Sequence, residues 1–246
     1  MKKLGVAVAG AGGKMGKALI EAVGADPELA LAAAFDVGDD VAKAIGSADL
    51  LIDFTRPEGT LAHLQHCVKL GKAAVIGTTG FGDKERAAIE AAAQKIPVVL
   101  SPNFAVGVNA VFKLAEVAAG ILGDGFDVEI IEAHHRQKVD APSGTALKLG
   151  EIISSVAKQK LSAVAKHGRE GDTGARPAKE IGFHAIRGGD IVGEHMVVFA
   201  GIGERVEVTV RSQSRMTYAL GALRAAKFLR GRKPGLYDMK DVLGLK

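Results

Sequence analysis

The sequence predicts an α/β protein: a doubly wound parallel sheet, with a second α+β domain built on a mixed four-stranded sheet. In the first part of the chain, short apolar strand patterns alternate with helix patterns, as in parallel sheets with helical crossovers. A glycine-rich turn joins the first strand to the first helix. Beyond residue 180, three strand patterns follow one another with no helix between them, which favours antiparallel or mixed pairing.

Composition agrees with this fold class. The chain has 246 residues, of which 48% are hydrophobic, 4% aromatic and 32 are glycine. Such a mixture permits close packing of helices on strands, and the length allows one large or two smaller domains. A single cysteine, Cys67, excludes an internal disulfide and predicts a cytoplasmic protein. No apolar stretch approaches the length of a signal sequence or a membrane span, so no membrane partner is expected.

The charge is modestly positive, with a formal net charge of +4. Basic residues are spread along the chain, interleaved with acids and without aromatic stacking platforms, so no nucleic-acid partner is expected. A weak positive field suits small anionic substrates better. No cysteine pair or histidine spacing typical of a metal site occurs, and no metal is predicted. His63 and His66, three residues apart in a helix pattern, are interpreted as surface or packing residues.

The first strand, Leu4–Ala9, leads into a turn that resembles a dinucleotide-binding fingerprint. Glycines there allow a tight turn and close approach to a pyrophosphate, which the N-terminus of the next helix then binds. The third glycine position of the strict motif is occupied by Met15. The sequence therefore predicts a Rossmann-type cofactor site at Gly10, Ala11, Gly12, Gly13, Lys14 and Met15.

A second strand, Leu29–Phe35, ends at Asp36, about 20 residues beyond Gly16, where an acid binds the ribose hydroxyls in such folds. Val37 follows where an arginine would bind the 2′-phosphate of NADPH, which favours NADH. Lys14 could still reach that phosphate, so both NADH and NADPH remain open as the cofactor.

Three more buried strands are predicted at Leu50–Phe54, Ala73–Ile76 and Val98–Leu100. Ligands of parallel sheets collect at the carboxyl ends of the strands. The residues after two of these strands are therefore expected to line the cofactor cleft: Gly77, Thr78, Thr79, Ser101, Pro102, Asn103 and Phe104.

The remaining chain predicts the second domain. A long helix over Gly107–Leu122 is followed by four strands, with Val197, Phe199, Val206 and Val208 expected on an outer face that a partner subunit would cover. A helix near Leu236 is expected to end the chain. The predicted boundaries are 1–105 with 215–246 for the dinucleotide-binding domain, and 106–214 for the domain that binds substrate and forms the oligomer.

The segment from Glu129 to Ala146 has the densest chemistry in the chain. A strand leads to His134 and His135, whose side chains should point to opposite faces. After Lys138 and Asp140, Ser143 is a good N-cap for a helix whose first amides, those of Gly144 and Thr145, could bind a carboxylate. Imidazole groups, an ammonium group and amides that can bind a carboxylate together predict a site that binds an acidic small molecule and protonates it.

These motifs resemble one family, dihydrodipicolinate reductase, along essentially the whole chain. The resemblance lies in the glycine turn, Phe54-Thr55-Arg56-Pro57, Gly77 to Phe81, Ser101 to Phe104, Glu132-Ala133-His134-His135, Lys138 to Thr145, Arg187 to Asp190, and Gly193-Glu194-His195. The histidine pair that runs to Ser-Gly-Thr-Ala is the most specific of them.

The resemblance implies an NAD(P)H-dependent reductase acting on a cyclic dicarboxylate, 4-hydroxy-tetrahydrodipicolinate, in lysine and diaminopimelate biosynthesis. It also implies a homotetramer. By the same likeness His134 is a catalytic proton donor or acceptor and Lys138 a second proton donor, while His135, Ser143, Gly144 and Thr145 bind the substrate. Two alternatives stay open: another NAD(P)-dependent dehydrogenase of an amino or sugar acid, and a non-catalytic nucleotide sensor.

Overall fold

The computed structural model describes residues 2–245. The chain divides into two compact units. The first comprises the residues up to Val106 together with those from Arg215 onward, and the second is Gly107–Ser214.

The first unit is a six-stranded parallel sheet with helices on both faces, which confirms the predicted doubly wound fold. The strand order is β11-β5-β4-β3-β1-β2. The strands are β1 (Leu4–Ala9), β2 (Leu29–Phe35), β3 (Leu50–Asp53), β4 (Ala73–Ile76), β5 (Pro97–Leu100) and β11 (Gly235–Tyr237). The helices are α1 (Lys14–Ala25), α2 (Val41–Gly46), α3 (Pro57–Leu70), α4 (Asp83–Ala93), α8 (Met216–Phe228) and α9 (Met239–Leu243).

Burial explains why the central strands are continuously apolar. All four residues of β3 are buried, because one hydrophobic cluster covers each face of the sheet. Leu50 and Ile52 belong to one cluster and Leu51 to the other, as strand alternation requires.

The chain terminus differs from the sequence prediction. The segment near Leu236 is strand β11, which pairs in parallel with β5, and not the start of a helix. The helix begins only at Met239, where the Asp238 side chain caps it by accepting from the N–H groups of Lys240 and Asp241. The sequence prediction also missed α2, a helix of six residues.

The second unit is a mixed sheet with strand order β10-β9-β6-β8-β7. The strands are β6 (Asp127–His134), β7 (Ala165–His167), β8 (Ile181–Arg187), β9 (Gly193–Ala200) and β10 (Arg205–Ser212). The helices are α5 (Val106–Leu122), α6 (Gly144–Val156) and α7 (Leu161–Val164), with a 3-10 turn at Gly123–Gly125. Strand β6 pairs in parallel with β8 and antiparallel with β9.

Two details of this sheet correct the sequence prediction. It has five strands instead of four, because the loop after α7 begins with β7, a three-residue edge strand. Val197 and Phe199 lie on the inner face and are 0% and 1% exposed, so the prediction that they form an outer face is wrong. Their alternation partners on β9, Met196 and Val198, face outward and are half-buried.

One helix corrects the expectation that no stretch approaches a membrane span. By length and composition alone, the 20 residues Val106–Gly125, with a mean hydropathy of 1.5, could cross a membrane. One face of this helix is buried in the second unit through Val108, Val111, Phe112 and Ala115. A core helix of a globular domain has the same length and composition.

Candidate active site

The candidate site of the second unit lies where β6 ends at His134. Backbone hydrogen bonds tie the following turn to the end of β8: the Gly188 N–H donates to the His134 carbonyl at 3.0 Å, and the Arg136 N–H to the Gly189 carbonyl at 3.2 Å. The turn then closes on Ser143, which caps α6. Strand, turn and helix thus bring the predicted cluster to one edge of the sheet.

A buried carboxylate organises this site. Glu132, 1% exposed, lies two residues before His134 on the same strand face. Its Oε2 is 2.6 Å from His134 Nδ1, and Arg187 donates to Oε2 at 2.8 Å and to Oε1 at 2.6 Å. The Ser143 N–H also donates to Oε1, at 3.1 Å. Burial opposes the ionisation of Glu132, but the bonds from Arg187 and His134 outweigh it and hold its pKa below the ordinary value.

His134 is itself 9% exposed, and burial is the largest influence on its pKa, which lies below the ordinary value of a histidine. Glu132 raises that pKa in part, whereas the charges of Lys138 and Arg187 lower it further. The imidazole is therefore neutral near pH 7 in the free protein, with a proton affinity that nearby anionic charge would increase.

A second buried histidine, His195 on β9, lies against the first. The two rings meet edge to face, with centroids 5.1 Å apart. His195 Nε2 is 3.0 Å from the Ser143 hydroxyl, which also accepts the Ala146 N–H at 3.3 Å. Burial lowers the pKa of His195 to about 4, so this ring is neutral at physiological pH. The side chain and amide of Ser143 are thus both engaged within the protein.

The predicted anion-binding groups stand around this network. His135 is half-buried, and its Nδ1 is buried without a hydrogen-bond partner among residues 2–245. Lys138 Nζ lies 2.8 Å from Asp140 Oδ1, a half-exposed pair of the kind worth at most about 1 kcal/mol. Gly144 and Thr145 form the first turn of α6, whose amides point out of the helix N-terminus. A buried nitrogen, an ammonium group and a helix N-terminus together suit an anionic ligand.

In the first unit, a cavity of about 770 Å³ opens at the carboxyl ends of β1, β2 and β3. Its lining includes Gly10, Gly13 and Asp36 from the predicted cofactor set. Gly10 has a φ of 69°, which favours glycine, and a Cβ on Gly16 would collide with the Gly10 carbonyl. The Gly12 N–H donates to Asp36 Oδ2 at 2.9 Å, and this bond, with one from the Val37 N–H, lowers the pKa of Asp36.

The other predicted cofactor residues belong either to the glycine turn and the start of α1 or to the loops that follow β4 and β5. Ala11 is half-buried in the turn, Lys14 is exposed in the first turn of α1, and Met15 packs against the core. Those after β4 and β5 do not line the cavity: Gly77, Thr78, Thr79, Ser101, Pro102, Asn103 and Phe104. Several serve the fold: Thr78 bonds Thr60 at 2.8 Å, the Ser101 hydroxyl bonds the Asn103 carbonyl at 2.8 Å, and the buried Phe104 packs on Phe54.

Sequence reasoning gave no role to three residues of the second unit: Glu132, Arg187 and His195. The rule that strand side chains alternate places Glu132 beside His134, so that signal was present. Arg187 stands opposite His134, and His195 opposite Glu132, only through the register of β8 and β9. In the first unit, His63 lines the cavity and pairs with the buried Asp53 at 2.8 Å, and Arg56 lines it too.

Comparison with known proteins shows what this chain is similar to. The family model "Dihydrodipicolinate reductase, N-terminus" matches residues 4–104, and "Dihydrodipicolinate reductase, C-terminus" matches residues 107–243. Curated relatives named 4-hydroxy-tetrahydrodipicolinate reductase include those of Aromatoleum aromaticum (58% identical, covering 100% of this chain and 97% of the relative) and Nitrosomonas europaea (52% identical, covering 100% of both).

A solved structure of a dihydrodipicolinate reductase agrees with the match to these family models. Dipicolinate-bound dihydrodipicolinate reductase from Paenisporosarcina sp. TG-14 is 28% identical, covers 98% of this chain and 99% of its own, and superimposes with a TM-score of 0.80. GenD2 from gentamicin A biosynthesis, in complex with NAD, is 17% identical with a TM-score of 0.59, and it covers 100% of this chain and 91% of its own. The latter likeness shows the fold alone.

Proposed function

This chain belongs to the dihydrodipicolinate reductase family, and we infer that it reduces 4-hydroxy-tetrahydrodipicolinate to tetrahydrodipicolinate, with loss of water, using NADH or NADPH. The reaction belongs to lysine and diaminopimelate biosynthesis. The observation that carries this inference is the 58% identity, over the whole chain, to a protein named for the activity. The second unit adds a buried proton-transfer network beside groups that suit an anion.

The first unit fits a nicotinamide dinucleotide. The glycine turn brings backbone N–H groups to the start of α1, where a pyrophosphate binds, and Asp36 stands at the rim of the cavity with its carboxylate ionised. When bound, the nicotinamide supplies the hydride. Gly10 to Met15 and Asp36 hold the dinucleotide in this proposal, and the loops from Gly77 to Thr79 and from Ser101 to Phe104 shape the same edge of the sheet.

The second unit holds the dicarboxylate. His135 and the Gly144 and Thr145 amides take one carboxylate, because charge-assisted hydrogen bonds are the strongest that such groups form. The Ser143 N–H bonds Glu132 and its hydroxyl bonds His195, so Ser143 acts by fixing the start of α6. His134 exchanges a proton with the reacting substrate, and Lys138 supplies a second proton and positive charge.

One face of the mixed sheet is apolar and points away from the helices of the second unit. Outward-facing apolar residues of the mixed sheet, Ile131, Met196 and Val198, are half-buried in the single chain, and Ile186 beside them is 52% exposed. This face suits burial against other copies of the chain, and the assembly is a homotetramer in the cytoplasm.

The activity is tested by mixing purified protein with freshly generated substrate and following the oxidation of NADH and of NADPH. We expect turnover with at least one cofactor and competitive inhibition by dipicolinate, because dipicolinate presents two carboxylates with the substrate's spacing. Benzoate, a monocarboxylate, serves as the control and should inhibit far less. Absence of turnover with both cofactors, or no inhibition by millimolar dipicolinate, would contradict the inference.

Replacing Asp36 with alanine is expected to weaken NADH binding about tenfold or more, since a hydrogen bond to a charged group is worth about 1.5–3 kcal/mol. kcat at saturating NADH should change little, because the carboxylate holds the ribose and not the reacting ring. Fluorescence titration measures the Kd of NADH. Asp83→Ala, which removes an exposed carboxylate elsewhere in the unit, is the control. An unchanged Kd in Asp36→Ala would remove Asp36 from the cofactor site.

A further inference from the structure

We propose that Glu132, held ionised by Arg187, is the positioning residue that fixes neutral His134 in its Nδ1–H tautomer and leaves Nε2 to exchange the proton with the substrate. The inference rests on the proposed role of His134, and it extends that role to two residues that do not themselves react. It stands on the hydrogen-bond geometry around one buried carboxylate.

The direction of the Glu132–His134 bond follows from the other partners of the carboxylate. Both Glu132 oxygens accept from the Arg187 guanidinium, and Oε1 also accepts the Ser143 N–H. Arg187 has donors only, and a backbone N–H cannot reverse its role. Glu132 is therefore an ionised acceptor, so the proton of the 2.6 Å contact belongs to His134 Nδ1. In a neutral imidazole, Nε2 then carries the lone pair.

Arg187 prevents Glu132 and His134 from forming a permanent ion pair. A buried carboxylate beside an imidazole would otherwise tend to draw a permanent proton onto the ring, giving a fixed ion pair. The guanidinium supplies the positive charge instead, so the ring stays free to gain and lose its proton. The groups that face His134 are Glu132 on its own strand, Lys138 on the following turn, Arg187 on β8 and His195 on β9. The two cations outnumber the one anion, and the buried His195 is uncharged.

The same hydrogen bonds predict that an amide in place of the Glu132 carboxylate would switch the tautomer of His134. Glutamine at position 132 has one acceptor oxygen and one donating NH₂ group. The rigid Ser143 N–H and one Arg187 N–H hold the oxygen at the Oε1 position, which turns the NH₂ toward His134. Nδ1 would then accept, and the proton would move to Nε2. In the Ser-His-Asp triad of serine proteases, the equivalent exchange preserves geometry and lowers kcat about 10⁴-fold through the wrong tautomer.

The test combines ¹⁵N NMR of histidine-labelled protein with steady-state kinetics on Glu132→Gln, Glu132→Asp and Arg187→Lys. The His134 signals are assigned by their loss in His134→Gln. In the wild type and Glu132→Asp we expect the neutral ring protonated at Nδ1. In Glu132→Gln we expect the proton at Nε2 and a kcat lowered about 10²–10⁴-fold, with the Kd of NADH unchanged. Arg187→Lys, which loses the two-pronged contact, should raise the pH at which His134 titrates.

The matched control is Glu129→Gln, three residues earlier on β6. Glu129 is also bound by arginines and a histidine, Arg169, Arg176 and His184, but it faces away from His134. Glu129→Gln should keep the wild-type tautomer of His134 and a kcat near the wild-type value. Circular dichroism establishes that each variant is folded. If the glutamine variant does not fold, the wild-type tautomer and the titration of His134 in Arg187→Lys supply the test.

The outcomes distinguish the positioning role of Glu132 from the proposed proton-transfer role of His134. A wild-type ring protonated at Nε2, or a Glu132→Gln variant that loses activity with an unchanged tautomer, overturns the positioning role. A tautomer that switches while kcat stays at the wild-type level supports the positioning of the ring and overturns the proton-transfer role of His134. A switch together with a large loss of kcat supports both.

Discussion

Replacing His134 with glutamine is expected to lower kcat about 10²–10⁴-fold, the usual contribution of a positioned acid or base, while the Kd of NADH stays near its wild-type value. Glutamine keeps much of the side-chain volume and can still donate to Glu132, but it cannot transfer a proton. The nucleotide cavity is built from residues of the other unit, so the two constants should separate. Steady-state kinetics and fluorescence titration measure them.

The pH profile gives this prediction a second readout. A general acid must be protonated, and burial places the pKa of His134 below its ordinary value in the free protein. We therefore expect kcat/KM to fall as pH rises through that lowered pKa. Two substrate carboxylates would favour the imidazolium, so the corresponding limb of kcat should lie at higher pH. His134→Gln should lose this limb in both profiles.

The control for His134→Gln is His167→Gln, which removes an exposed imidazole stacked on Phe183 elsewhere in the same unit. It should keep kcat and both pH limbs. Equal losses of kcat and NADH binding in His134→Gln would show that the substitution disturbs the fold or the nucleotide site, and would remove the proton-transfer assignment.

Local sequence patterns predicted most of the fold because they coincide with burial. Strand β2 and strand β4 have the predicted bounds, since their apolar runs end at residues that must turn. The missed strands β7 and β11 each have three residues. At that length the pairing partner decides the conformation, and no periodicity can develop. Val197 and Phe199 were assigned to the wrong face because alternation alone does not say which face of a strand the helices cover.

Only part of the candidate site could be predicted from the sequence, because some of its residues are brought together by strand pairing alone. His134, His135 and Lys138 stand close together in sequence, so their cluster was visible without a structure. Arg187 is more than fifty positions from Glu132, and only the parallel register of β6 and β8 brings the two together. A single sequence contains no record of register, so Arg187 and His195 could not be found from it, whereas strand alternation already pointed to Glu132.

Replacing Lys138 with methionine is expected to lower kcat about 10²-fold or more and to raise KM, because the side chain supplies both a proton and a positive charge to a dianionic substrate. Its present partner, Asp140, is 54% exposed and holds it by a surface ion pair worth at most about 1 kcal/mol. A substrate carboxylate can therefore take the place of Asp140 at little cost. Asp140→Asn should accordingly change kcat far less than Lys138→Met does.

Lys138→Arg separates the two contributions of the ammonium group. Arginine keeps the positive charge but does not give up its proton at physiological pH, so KM should return toward the wild-type value while kcat stays low. Lys148→Met removes a lysine from a comparable ion pair, with Glu151 on α6, and serves as the matched control with near wild-type constants. Should Lys138→Arg restore kcat as well as KM, Lys138 would act through its charge alone, and the second proton would have to come from another group.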